Sequence, residues 1–316
     1  MTEKEFDIVT LGELLIDFTE SGLSKDGGHL FEQNAGGAVA NVACAAKKLL
    51  LNTAFIGKVG DDMHGRFLKA TLDDVGVNTS GLVISKDVFT TLAFVSLSEN
   101  GEREFSFARK PGADTALKTS EVDESLLKSC RIFHFGSLSL TDEPSRSATV
   151  FAAKRAKAAG AVISFDPNFR APLWKSEDEA KKRIKSVLPL VDIIKISDEE
   201  TKLVTGFAEP EKALDELLRI GCKCAVVTLG KDGAVAATSS AGAKSEAKAK
   251  RAVDTTGAGD AFWGGFLYKL IRNEKPIEAY SKDELFGALE FANAVAGFCV
   301  GRRGAIPSLP TIDELE

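Results

Sequence analysis

Asp254-Thr-Thr-Gly257-Ala-Gly259-Asp260-Ala-Phe-Trp-Gly-Gly-Phe266 reads as the end of a strand that passes through glycines into a helix. Gly257 and Gly259 leave the backbone free to aim successive N–H groups at one point at the start of that helix, a ready site for a phosphate or a developing oxyanion. Asp260 follows at once, on the first turn. A hydroxyl held there would lose its proton to this carboxylate while its oxygen attacks phosphorus, so nucleophile, base and charge stabilisation stand together as phosphoryl transfer requires. Other glycine patterns fit less well. A dinucleotide fingerprint would want a third glycine at position 262, which is Phe262, and a Walker A loop needs Gly-Lys-Ser/Thr, a run absent from the chain. A capped glycine turn accounts for one glycine and one acid but not for the whole run.

A second glycine site lies near the other end. Gly36-Gly37-Ala-Val-Ala-Asn41-Val-Ala also opens a helix after a loop. Its small residues let a ligand approach the backbone, and Asn41 offers an amide that both donates and accepts on the inward face. Tight packing of this helix on a sheet is the competing explanation.

Working outward, short strand-like runs alternate with longer helix-like ones, the mark of a parallel sheet covered by helices on both faces. Strands are expected over 6–11, 53–59, 131–136, 161–166, 192–197 and 224–229, and helices over 38–50, 65–75, 145–159, 177–188, 199–205, 211–220, 258–271 and 282–300. Two stretches break the rhythm with alternating apolar and polar residues and with turn signals at Gly27-Gly28 and Asn100-Gly101. They predict a small β-sheet lid over a cleft, built from strands inserted at about 14–34 and 89–109 into a single domain covering 1–316. The Ala-, Ser- and Lys-rich stretch 239–252 suits a solvated edge strand.

Composition narrows the function. The 316 residues carry 46 Asp and Glu against 40 Lys and Arg, a net charge of −6. That balance, with no basic stripe, argues against nucleic acid or an anionic membrane as a partner. Only three histidines occur, His29, His64 and His134, far apart in the sequence. Histidine-rich metal sites and histidine-centred triads are therefore poorly supplied, and acid–base chemistry falls to carboxylates. Five cysteines without framework spacing, and an acidic start unlike a signal peptide, predict a reducing, cytoplasmic setting. No apolar run approaches the ~20 residues of a membrane span.

Taken together, the Gly-Gly-x-x-x-Asn41 run and Asp254-Thr-Thr-Gly-Ala-Gly-Asp260 resemble the ribokinase-like sugar kinase family of phosphofructokinase B type, over nearly the whole chain. The resemblance implies a ribokinase-like α/β fold, a mostly parallel central sheet flanked by helices, with ATP and Mg2+ as cofactors and K+ in many members. It implies Asp260 as catalytic base, with the backbone of Gly257, Ala258 and Gly259 as the anion hole. Asp17, Gly36, Gly37 and Asn41 look like sugar ligands. Lys195, Thr228, Leu229, Gly230, Gly233 and Asn293 match nucleotide-lining positions. Glu200 matches the magnesium-supporting acid, although the family's Asn is replaced in Ser197-Asp-Glu-Glu200. Asp254, Thr256, Gly304 and Ser308 fit the monovalent-cation loop.

Within the family, Leu11-Gly-Glu-Leu-Leu-Ile-Asp17, the run from Phe107 through Arg109 to Asp114, and Asp166-Pro-Asn168-Phe-Arg170 look most like fructokinases and also sit near 2-keto-3-deoxygluconate kinases. Arg109, Asn168 and Arg170 are thus expected at the substrate. Two guanidiniums there would clamp a carboxylate or phosphate, or bond hydroxyls and steer ATP. The expected reaction is phosphorylation of the fructose 6-hydroxyl by ATP. The alternatives are a 2-keto-3-deoxygluconate kinase and a catalytically silent sugar- or nucleotide-binding regulator. A lid face including Phe105 and Phe107 offers a surface for a homodimer.

Overall fold

The computed structural model describes residues 4–97, 103–248, 252–273 and 275–315. The expected Asn100-Gly101 turn and residues 249–251 of the expected edge strand lie outside these ranges.

The six apolar runs form the parallel strands β1 (Phe6–Leu11), β4 (Thr53–Gly60), β8 (Cys130–Gly136), β9 (Val162–Asp166), β10 (Ile193–Ser197) and β11 (Cys224–Thr228). Three further strands complete a nine-stranded sheet: β5 (Asn78–Ser85), β12 (Ala234–Thr238) and β13 (Gly242–Ser245), in the order β13-β12-β11-β10-β9-β8-β1-β4-β5. All neighbours are parallel except the antiparallel β11–β12–β13 end. A second sheet holds β2 (Leu15–Leu23), β3 (His29–Gly36), β6 (Leu92–Leu97) and β7 (Arg103–Ala108), in the order β3-β2-β6-β7. Its β2–β3 hairpin turns at Gly27, whose φ of 81° a glycine adopts without strain.

Helices cover both faces of the large sheet. On one side lie α3 (Glu124–Lys128), α4 (Ser145–Ala158), α5 (Glu177–Val187), α6 (Thr201–Thr205) and α7 (Pro210–Ile220). On the other lie α1 (Ala38–Lys48), α2 (Met63–Val75), α8 (Ala258–Asn273) and α9 (Lys282–Cys299). Helix ends follow local chemistry: Asp62 caps α2 by accepting from the N–H of His64 and Gly65, and Gly76 closes it at φ 88°. At α1 and α8 backbones run close. A Cβ on Gly264 would stand 2.5 Å from that of Ala45, so only glycine lets the two helices meet this tightly.

The connection order places the site. From β1 the chain builds outward through β4 and β5, then returns to β8 and builds the other way. The crevice outside the carboxyl ends of strands at such a reversal is where open α/β sheets bind ligands. The loops after β1, β8 and β9 lead into it, and the small sheet stands over it.

Candidate active site

At that crevice α8 begins. Gly257 has φ 77°, and a Cβ there would sit 3.0 Å from the Cβ of Ala305, so backbone conformation and space both call for glycine. Ala258 gives its N–H to the carbonyl of Thr255 in a long 3.3 Å bond. The remaining first-turn N–H groups have no acceptor inside the helix, as at every helix start. Gly259 matters for a different reason: a Cβ on it would lie 3.1 Å from Lys195 Nζ, so its bareness brings that ammonium against the helix N-terminus.

Asp260 is 6% exposed and held by two amides. Asn41 Nδ2 donates to Oδ2 at 2.8 Å, and Asn168 Nδ2 donates to Oδ1 at 3.2 Å. Burial pushes the Asp260 pKa above the usual carboxylate value, against the pull of the Asn41 bond and the Lys195 charge. Asn168, at φ 45°, also donates to Asp166 Oδ2 at 3.1 Å and accepts from Arg170 at 3.2 Å. Asp166 pairs with Lys195 at 2.7 Å, both buried. Burial opposes charge on Lys195, yet Asp166 and Glu200 outweigh it and keep the ammonium protonated.

The cleft in front of Asp260 encloses about 360 Å³. Leu15, Asp17 and Thr19 of β2, Val95 of β6 and Phe107 of β7 face it from the small sheet, and Gly37, Ala38, Asn41, Asn168, Arg170 and residues 254–257 from the large domain face. Alternation along β2 explains the choice, since every second residue points to one face. Asp17 lies so close to Gly36 that a Cβ there would come within 2.1 Å of Oδ2. Burial raises the Asp17 pKa to about 6, with Arg170 opposing and Asp260 adding to the rise.

The structure also brings the expected cation-loop residues together. Asp254 accepts from Thr256 N and Oγ1 at 2.9 and 2.7 Å and from Gly304 N at 3.0 Å. The Ser308 hydroxyl lies 2.9 Å from Cys299 Sγ, which is 3.9 Å from the Thr256 carbonyl. Glu200 takes the N–H of Phe169 at 2.6 Å and of Ser197 at 2.8 Å, so both its oxygens serve the loops behind Asp166.

Of the expected nucleotide residues, Lys195 stands apart, paired with Asp166 against the start of α8; the others lie along the carboxyl ends of β10 and β11 and the neighbouring sheet edge. Thr228 ends β11 opposite Ser197, with Leu229, and Gly230 at φ 55°, just beyond. Gly233 and Asn293 meet at the sheet edge: a Cβ on Gly233 would strike the Ser245 carbonyl at 2.0 Å, and Asn293 donates to that same oxygen at 3.1 Å.

Two residues depart from the sequence reading. Arg109 is 5% exposed and does not line the cleft. Its guanidinium pairs with Asp114 at 2.6 Å and donates to Thr141 Oγ1 and the Leu138 carbonyl at 3.0 and 2.9 Å, which makes it a brace behind the site, not a substrate ligand. Glu13 was not among the expected ligands, yet it lines the cleft at 1% exposure. Nothing in its sequence setting marks a glutamate after a glycine as buried.

Fold and site define a sugar-kinase architecture. The chain belongs to the pfkB family of carbohydrate kinases, whose model matches residues 5–312. It is 45% identical to probable fructokinase-5 of Arabidopsis thaliana, over 96% of this chain and 94% of that one. The crystal structure of a fructokinase with bound ATP from Xylella fastidiosa superposes with a TM-score of 0.91 at 33% identity, covering 98% of this chain and 97% of that one. A double mutant of fructokinase from Vibrio cholerae O395, bound to fructose, ADP and potassium ion, superposes with a TM-score of 0.87 at 32% identity, covering 100% and 98%.

Proposed function

We propose that this chain is an ATP-dependent fructokinase, forming D-fructose 6-phosphate and ADP. The observation that carries the reading is the buried Asp260, clamped by Asn41 and Asn168 at the N-terminus of α8 and facing a cleft of sugar size. Similarity to fructokinases along nearly the whole chain supports fructose as the sugar.

The roles follow from position. Asp17, Gly36, Gly37, Asn41, Asn168 and Arg170 hold the sugar so that its 6-hydroxyl meets Asp260. The carboxylate accepts the hydroxyl proton as the oxygen attacks the γ-phosphorus. The α8 N-terminus, with Gly257, Ala258 and Gly259, and the Lys195 ammonium stabilise the charge on the transferring group. Thr228, Leu229, Gly230, Gly233 and Asn293 line the nucleotide. The small sheet acts as a lid that excludes water, which would otherwise hydrolyse ATP.

Oxygen donors of carboxylate type suit magnesium bound mainly through the nucleotide. With both Glu200 oxygens on backbone N–H groups, Glu200 would hold the ion indirectly, beside Asp166. Bound magnesium supplies neutralisation of phosphate charge. The convergence of Asp254, Thr256, Gly304 and Ser308 supports a monovalent-cation loop, with K+ as its ion.

Among the described residues the cleft presents four carboxyls, Glu13, Asp17, Asp254 and Asp260, and one guanidinium, Arg170. Arg109 is held elsewhere. That balance favours an uncharged sugar over 2-keto-3-deoxygluconate. Five free cysteines, all buried, accord with a cytoplasmic setting, and among the described residues no helix is long and apolar enough to cross a membrane. A homodimer through the lid is part of the proposal.

The test is ADP release with fructose, 2-keto-3-deoxygluconate, ribose, adenosine and fructose phosphates. Turnover of fructose at a kcat/KM at least about tenfold above the others is expected. Absence of fructose turnover overturns the reading.

A further inference from the structure

Glu13 is the one cleft carboxylate that the mechanism above leaves without a task. It follows β1, and its Oε1 accepts the N–H of Ala38 at 2.7 Å, the first residue of α1. Gly37 makes this contact feasible: its φ is 117°, and a Cβ on it would lie 2.4 Å from the Glu13 carbonyl oxygen. Capping α1 occupies only one oxygen. Oε2 is buried and has no hydrogen-bond partner among the described residues, although the side chain lines the cleft. An acidic oxygen buried without a partner is costly unless a ligand completes it.

The surroundings restrict what that ligand can be. Burial opposes charge on Glu13 most strongly and Asp114 adds like-charge repulsion, while the backbone N–H groups of Glu13 and Ala38 and the Arg109 charge only partly offset them. Burial lifts the Glu13 pKa to about 7, so near neutrality the group is as readily a donor as an acceptor. A second carboxylate brought beside it would be repelled by Asp17 and Asp260 as well. A sugar hydroxyl, which donates and accepts at once, satisfies Oε2 in either protonation state. The site on α1 also fixes the region: Ala38 stands one helical turn before Asn41, the residue that reaches Asp260.

Resting on the fructokinase reading for the choice of sugar, we propose that Glu13 is a sugar-binding and specificity-determining residue whose Oε2 bonds a hydroxyl other than the one phosphorylated. It selects an uncharged sugar over a sugar acid.

The test compares Glu13→Gln, which keeps the shape and the bond to Ala38, with Glu13→Met, which keeps only the volume. KM for sugar and for ATP, kcat and thermal midpoint are measured on both and on the wild type. The expected result is a sugar KM raised at least about tenfold in Glu13→Met, with ATP KM within about twofold, and a Glu13→Gln sugar KM within about threefold of wild type. A Glu13→Met sugar KM within about twofold of wild type, or equal rises for sugar and ATP, overturns the proposal. If Glu13→Met does not fold, monodeoxy sugars decide between wild type and Glu13→Gln. A change in discrimination at one non-reacting hydroxyl upholds the proposal, and equal responses at all positions overturn it.

The wild-type substrate panel separates the two readings. If another uncharged sugar is turned over in place of fructose, the fructokinase reading fails and Glu13 is judged on that sugar. If only a sugar acid is turned over, both fail.

Discussion

Asp260 shows how a weak base is made useful by its setting. Two amides each donate to one carboxylate oxygen, which fixes the side chain and leaves each oxygen a further lone pair to accept a proton at the cleft that Asp260 lines. Replacing it by Asn keeps the shape and removes the proton acceptor, so Asp260→Asn should lower kcat by about 10²-fold or more while sugar affinity changes little. Steady-state ADP release and calorimetric sugar binding check this. Asp17 tests the opposite balance. Its folded pKa of about 6 stands above the ordinary 3.8, so folding disfavours its charged form. Below pH 3.8 the group is protonated in both states and imposes no penalty; the penalty grows between 3.8 and about 6 and is full above that. Asp17→Asn should therefore stabilise the protein by about 1–2 kcal/mol at neutral pH and by almost nothing in acid, while weakening sugar binding. Urea titrations at acid and neutral pH read the first effect, and sugar KM reads the second.

Among the elements, the β2–β3 hairpin and the two glycine-led helices carry the site. Gly36→Ala would place a methyl 2.1 Å from the Asp17 carboxylate and so displace the ligand without touching the nucleotide side. A sugar KM raised at least about tenfold with an unchanged ATP KM is the expected kinetic result. At this scale much of the fold was legible. Six of the seven parallel strands are nearly continuous apolar runs, and α8 announces itself through Gly257, Gly259 and Asp260. β5 escaped because Asn78-Thr-Ser-Gly81 opens it with polar and small residues, and β12 because Ala234-Val-Ala-Ala-Thr238 has the composition of a helix. Those strands form through pairing with β4 and β11, a tertiary effect that local composition does not encode. The same limit applies to side chains. Arg109 looked like a ligand because sequence shows its charge and not Asp114 waiting beside it in the fold. Glu13 was passed over because burial is set by Ala38 and the cleft wall.

For the whole molecule, the small sheet has two faces with different duties. Asp17, Thr19 and Val95 look into the cleft, while Phe18 and Phe94 stack on the other face with ring centroids 5.3 Å apart and Phe31 meets Phe94 edge-on at 6.0 Å. Phe107 belongs to the cleft wall, and the side chain of Phe105 lies outside the described part. Leu23, Leu30 and Phe31 are 61, 47 and 42% exposed, an apolar edge suited to a second copy. Sedimentation should give a dimer at micromolar concentration, and Phe31→Glu should shift it to monomer; a wild-type monomer throughout would remove the dimer from the proposal.

The bond from Asn41 to Asp260 joins residues 219 positions apart, and it depends on α1 and α8 meeting across the bare Gly264. A nascent or clipped chain can thus build β1, α1 and their neighbours and still have no working base. Turnover is a late reporter: in refolding, kinase activity should return together with the last long-range docking and never ahead of it. Partly folded chains would then be silent, and so would not consume nucleotide in futile hydrolysis.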